Sequence, residues 1–244
     1  MQCGAHNPKV TGCWTRAFVA DSVWSMNTNS PRDEKVRLGR PWSVAGPALV
    51  ALISFATVLG AQDSPALLND AVSEFAAGRI EVSLERFDRL VEVDPDGMPY
   101  LWQRGIALYY AERWDDCRAQ FEAHRAVNPN DVENAVWHFL CVARQETPAR
   151  AQELLLPVGH DLRVPMGEIY HLYRGVSSPK AVLEVATDDL ARFYAHLYLG
   201  LWFEIQGDPD AAKHHIGEAA RRDYALPGLY MHMVARVHEQ LRRR

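Results

Sequence analysis

The chain has 244 residues, 48% of them apolar and 23% charged, which is the composition of an ordinary globular protein rather than a disordered or collagen-like one. Its formal charge of −5 leaves no basic footprint for nucleic acid. Four cysteines without a CxxC pair are too few for a disulfide scaffold and lack the usual spacing of a zinc site.

The first element in chain order is an uncharged apolar stretch, residues 42–61, preceded by Lys35, Arg37 and Arg40 and followed by the polar Gln62, Asp63 and Ser64. A basic flank, an apolar core and small residues at the exit describe a secretory signal, cleaved after Gly60 or Ala61. About 20 apolar residues also suffice to cross a bilayer, so an uncleaved membrane anchor stays open. No cysteine stands where a lipoprotein signal needs one. Residues 1–25 set the apolar stretch far from the chain start, whereas Met26 would open a signal of ordinary length. Met26 is therefore the expected start, with a transit peptide as the competing reading, and residues 1–41 are expected to be a disordered extension outside the fold. Residues 62–244 form the expected exported domain, periplasmic or extracellular. The 6 basic and 3 acidic residues of 1–61 leave this domain 20 Lys and Arg against 28 Asp and Glu, a net charge of −8.

Within that domain two windows repeat. Phe87 and Phe121 are 34 residues apart, as are Pro95 and Pro129, and each Phe lies 8 residues before its Pro. Small residues stand 16 positions before each Phe: Ala71 and Gly105. Near the C-terminus, His196, Gly200, Phe203, Gly207, Ala212, Ile216 and Ala219 follow the same order. Such a period marks a unit of two helices, in which a small residue on the first lets the second approach closely. A glycine in the intervening turn, Gly78 or Gly207, ends the first helix.

These residues resemble the tetratricopeptide repeat family over about residues 64–226. The resemblance implies an all-α, right-handed helical solenoid of about five helix pairs, beginning near 65, 98, 131, 165 and 188, plus a C-terminal capping helix from about 227 to 241. Gly105 to Gly200 spans 95 residues, seven short of three periods. Phe139 and Ala151 keep the register, so the deficit falls in 159–192 and predicts a short fourth pair there.

Catalytic signatures are absent: there is no GxSxG, HExxH, Walker or dinucleotide pattern. One E-x-x-H, Glu168 to His171, places a carboxylate and an imidazole on one helical face, but carboxylate-bridged metal bundles need two such motifs. His214 and His215 are adjacent and point to different faces, and His124 stands at a packed repeat position. No cofactor, no metal and no enzymatic activity are expected. Cys117 and Cys141 read either as a bridge or as two separate buried thiols.

The aromatic set carries the functional expectation. The family's concave groove is lined by set positions of the first helices, which here place Trp102, Ile106, Tyr109 and Tyr110 in the second pair. Glu133, Arg144 and the adjacent Trp137 follow in the third, and Tyr194, Glu204 and the adjacent Tyr198 in the fifth. The Lys, Arg and Asn set that grips a C-terminal carboxylate is largely missing. Trp102, Ile106, Tyr109, Tyr110, Trp137, Arg144 and Tyr198 are thus candidates for an apolar groove that takes a protein or peptide partner in the cell envelope. Two alternatives remain beside it: the same aromatics form the core, or the aromatic trough or the Tyr230-Met231-His232-Met233 face is buried in a homodimer. A metal-dependent enzyme using Glu168 and His171 is the remotest reading.

Overall fold

The computed structural model describes residues 64–225 and 228–242. The expectations about residues 1–61, the signal or anchor and the start at Met26 among them, lie outside the described residues. Every regular element described is a helix: α1 (Ser64–Ala76), α2 (Ile80–Val93), α3 (Trp102–Tyr110), α4 (Trp114–Val127), α5 (Val132–Gln145), α6 (Pro148–Glu153), α7 (Met166–Tyr173), α8 (Pro179–Val185), α9 (Asp189–Gln206), α10 (Pro209–Ala219) and α11 (Tyr230–Arg242). Short 3-10 turns occupy Pro95–Tyr100 and Arg222–Tyr224. Among the described residues no helix is long and apolar enough to cross a membrane.

Local chemistry sets where these helices begin and end. Thr147, Ser178 and Asp208 each accept a backbone N–H from the first turn of the helix they open, and a proline follows each of them. The cap satisfies an orphan donor, and the proline stands where no intrahelical N–H is needed. Gly207 ends α9 at φ 79°, and Gly78 follows α1 at φ 71°. One period after Gly78, Glu112 takes the same turn at φ 58°, in a region that disfavours a side chain.

Helices α1 to α6 pack on one another in chain order, as do α7 to α11, and α5 joins the two runs through α7. The close approaches are where the repeat predicts them. A Cβ added to Gly105 would lie 2.6 Å from the Phe121 ring, and one on Gly200 2.7 Å from the Ile216 side chain. Each pair is 16 residues apart and joins the first helix of a unit to its second. Twelve residues after Ala71, Ser83 Oγ donates to the Ala71 carbonyl at 2.7 Å. Cys117 holds the equivalent position in the second pair, with Sγ 3.4 Å from the Gly105 carbonyl. That sulfur is bridged to Cys141, so α4 and α5 are covalently joined and the bridge reading is the one this fold adopts. Closing a loop across a separation of 24 residues is worth about 3.5 kcal/mol in the chain-entropy account.

Helix α5 is buried on all sides from Asn134 to Ala143 and forms the centre of the core. It touches α3, α7 and also α9, although a whole helix pair separates α5 from α9 in the chain. The short fourth pair explains this contact: with α7 and α8 reduced to 8 and 7 residues, α9 reaches back past them. The C-terminal helix then closes the arrangement, because α11 packs on α10 at the end and on α1 at the beginning.

Candidate functional site

The residues expected to line a groove converge, but on a filled interior. Ile106, Tyr109, Trp137 and Tyr198 are buried and Trp102 and Tyr110 half-buried, with Arg144 reaching between helices. An open aromatic trough is therefore corrected to a closed one, for two physical reasons. First, α9 folds onto α5: the Tyr198 hydroxyl donates to Glu133, and Arg144 pairs with Glu204. Second, α11 lies against what remains. The Tyr230 ring meets Trp102 edge-on at 4.8 Å and stacks on Phe75 at 6.1 Å, and Tyr110 faces His238. Tyr109 sits within a shell of rings from Tyr110, Trp114 and Trp137, all at 5.3–5.4 Å, and its hydroxyl accepts from Arg144 at 3.2 Å. The Tyr230–Met233 face, considered for a homodimer, points inward too: Met231 and His232 are buried, and His232 Nε2 bonds the Arg221 carbonyl at 2.8 Å.

Two polar clusters hold this interior. In the first, the Glu204 carboxylate takes Arg144, Arg242 and, at 2.8 Å, His238 Nε2. His238 Nδ1 lies 3.0 Å from the Tyr110 hydroxyl. A neutral imidazole satisfies both contacts at once: Nε2–H donates to Glu204 while Nδ1 accepts the Tyr110 O–H. Burial, followed by the Arg144 charge, lowers the His238 pKa to about 4. The adjacent carboxylate does not reverse this, since two guanidinium groups already share it.

The second cluster ties the irregular segment after α6 to the opening of α5. Arg163 reaches Asp131 at 2.6 Å, Glu133 at 2.5 Å and Asp161 at 2.7 Å. Burial raises the Glu133 pKa to about 7 against the pull of Arg163, with Asp131 adding like charge. Asp161 moves the other way: burial opposes its ionisation, but hydrogen bonds and charge from Arg163 outweigh that and lower its pKa. Sequence reasoning did not single out Arg163, Asp161 or His238. An acid at a first-helix position, such as Glu133 or Glu204, was the one available signal, because a buried carboxylate requires a cation.

The remaining candidates lie outside both clusters. Glu168 and His171 form an i,i+3 pair at 3.6 Å with the imidazole half exposed, and Glu168 also accepts from Ser177. His124 Nδ1 is bonded to the Pro99 carbonyl at 2.8 Å, a packed histidine. Among the described residues no group of three or more His, Cys, Asp or Glu is placed to hold a metal ion. No protein-family model matches the chain.

Proposed function

We propose that this chain is a non-enzymatic protein–protein interaction scaffold of the tetratricopeptide kind, exported or membrane-anchored. In this reading it engages an apolar segment of a partner protein through its short fourth helix pair. One observation carries the reading. Of the eight large hydrophobic residues exposed among the described residues, six fall between positions 162 and 190: Leu162, Val164, Val176, Leu183, Val185 and Leu190. Single exposed apolar residues need no explanation, whereas their concentration in one stretch of the chain singles that stretch out as the candidate contact. Leu162 at 81% and Val176 at 67% exposure contribute almost nothing to the core, so packing does not account for them. The fourth pair is also where the repeat spacing fails, which frees its residues from the packing rule that fixes the others.

Two further observations support parts of the proposal. The bridge between Cys117 and Cys141 persists best in an oxidising compartment, consistent with export of residues 62–244. Glu204 is engaged by Arg144, Arg242 and His238, and Glu133 and Asp161 are engaged by Arg163, so these enclosed acids offer no free carboxylate to a substrate. The partner-binding role moves from the filled interior to an outer face.

Affinity capture from a native envelope extract tests this, with the full chain as bait beside a Leu162→Ser, Val176→Ser, Leu183→Ser triple variant. Leu162 and Val176 are largely exposed, so their substitutions should change stability by no more than about 0.5 kcal/mol each, while Leu183, 39% exposed, should cost about 1 kcal/mol. A protein held by the wild type and lost by the folded triple variant supports the scaffold. Retention by both sinks this face as the contact. The same apolar residues would also suit a second copy of the chain, and a concentration-dependent mass in sedimentation, abolished in the triple variant, would favour self-association.

A further inference from the structure

Two of the eight exposed large hydrophobic residues, Val93 and Tyr100, stand outside the fourth pair. Tyr100 lines a cleft at the first helix pair, and Val93 directly precedes Asp94 of the same lining. Ser64 and Leu68 of α1, Leu90 of α2 and Leu101 before α3 complete its walls, and it encloses about 620 Å³ together with its open mouth. The lining is mainly apolar, with Asp94 and Gln103 as the polar groups that a crossing backbone would meet.

The cleft is built before any occupant arrives. The turn that carries Gly97 and Tyr100 is pinned at three points. Asp94 accepts the Gly97 N–H at 3.2 Å, Gln120 Nε2 donates to the Met98 carbonyl at 2.8 Å, and His124 Nδ1 bonds the Pro99 carbonyl at 2.8 Å. A preformed apolar site spares its occupant the cost of ordering it.

What can reach the cleft is set by the chain. Ser64 is both a wall of the cleft and the first residue described, so the polypeptide enters α1 at the edge of the cleft. Gln62 and Asp63 precede it, and before them ends the uncharged apolar stretch, residues 42–61. Leu59 is the last large apolar residue of that stretch, and five residue steps from Ser64 give it a reach of up to about 17 Å. So short a tether holds Leu59 at an effective concentration on the order of millimolar, above that of a second copy at ordinary protein concentration.

We propose that the apolar stretch stays attached to the domain and that its last residues, Leu59, Gly60 and Ala61, dock in this cleft with the Leu59 side chain against the apolar lining. Residues 42–58 remain outside it, and these seventeen residues meet the lower end of the length that crosses a bilayer, about 17–25. The domain is thereby held directly against its anchor instead of swinging on a free linker. The proposal takes the anchored form of the scaffold reading, and it does not depend on the apolar contact of the fourth pair.

Paired cysteines in the full chain, kept in membranes, give the readout. One chain carries Leu59→Cys with Tyr100→Cys, a second carries Leu59→Cys with Leu162→Cys, and both carry Cys3→Ser and Cys13→Ser. Tyr100 and Leu162 are both exposed, so neither substitution disturbs the core, and Val93→Cys replaces Tyr100→Cys should that chain fail to fold. Under mild oxidation the first pair should form an intramolecular bridge at least about tenfold faster than the second, read by non-reducing electrophoresis. Equal rates overturn the proposal, because they report random collision. Bridges between chains in the first pair overturn it in favour of a second copy in the cleft. An intact mass that begins at Ala61 or Gln62 overturns it as well, since the stretch has then been removed. None of these results touches the fourth-pair contact, which the serine triple variant tests separately.

Discussion

At the scale of single residues, the close approaches decide what the chain tolerates. Gly105 has no room for a side chain, because the Phe121 ring stands 2.6 Å from where a Cβ would be. The ring is held by Trp137, stacked at 6.4 Å, and so cannot swing away freely. Gly105→Ala should therefore destabilise by about 1–3 kcal/mol in chemical denaturation, and Phe121→Leu in the same chain should recover part of the loss. Glu112 gives the opposite case. Its φ of 58° forces a side chain into the left-handed region, and the equivalent position one period earlier is Gly78. Glu112→Gly should stabilise by about 0.5–1 kcal/mol, a rise in midpoint with an unchanged denaturant slope. Gly105 was legible in the sequence, because the Gly and Phe sixteen residues apart needed only counting, whereas the positive φ at Glu112, one period after Gly78, was hidden by its residue type.

At the scale of elements, the final helix behaves differently from a lid on the last pair. Every fourth residue of α11, namely Tyr230, Val234, His238 and Arg242, runs along one ridge, and three of the four make named contacts with α1, α3 or α9. Amphipathic pattern alone predicts such a helix and its approximate bounds, as the periodicity did for residues 227–241. It does not say which partner the apolar face meets, because that depends on how far α9 reaches toward α5, and this follows from a deficit in a different pair. The joint between α11 and the interior is the shared Glu204 carboxylate. Glu204→Leu leaves Arg144 and the buried His238 without their acceptor, which should cost about 3–5 kcal/mol. Hydrogen exchange should show the loss first in the α11 amides, while those of α5 stay protected longest. By contrast, Tyr230→Phe removes a buried hydroxyl that has no hydrogen-bond partner among the described residues, so it should be neutral or stabilising.

At the scale of the whole molecule, the helix content and the order of helix pairs follow from a 34-residue period, because that period is a local property. Closure of the interior is not local. It arises from the seven-residue deficit in the fourth pair together with charged residues at first-helix positions: Arg144 finds Glu204 across the molecule, and Glu133 takes Arg163 and the Tyr198 hydroxyl. Closure also fixes how stability responds to acid. His215 and His238 have folded pKa values lowered to about 4, and His124, His138 and His196 are lowered as well, burial being the leading cause in each. The unfolded chain takes up these protons near pH 6.5, so it binds more protons than the folded chain between about 6.5 and 4. Stability from the histidines is therefore complete above about pH 6.5 and lost as the pH falls toward 4, on the order of 2–3 kcal/mol each for His215 and His238. Glu133 acts in the opposite sense. Its folded pKa is raised to about 7, so the proton it keeps stabilises the fold at low pH, and that contribution is lost as the pH rises through 7. Thermal melts from pH 4 to 8 should thus show the melting temperature level above 7 and falling below 6.5, the buried histidines outweighing the opposing slope of Glu133 between 7 and 4.5. Glu133→Gln, which fixes the uncharged form, should remove that opposing slope, steepening the fall in melting temperature between pH 7 and 4.5 and leaving the curve above 7 level. A wild-type melting temperature that stays level between pH 6.5 and 4.5 would mean that the buried histidines carry their protons in the folded state, and the neutral bridge from Tyr110 through His238 to Glu204 would then be wrong.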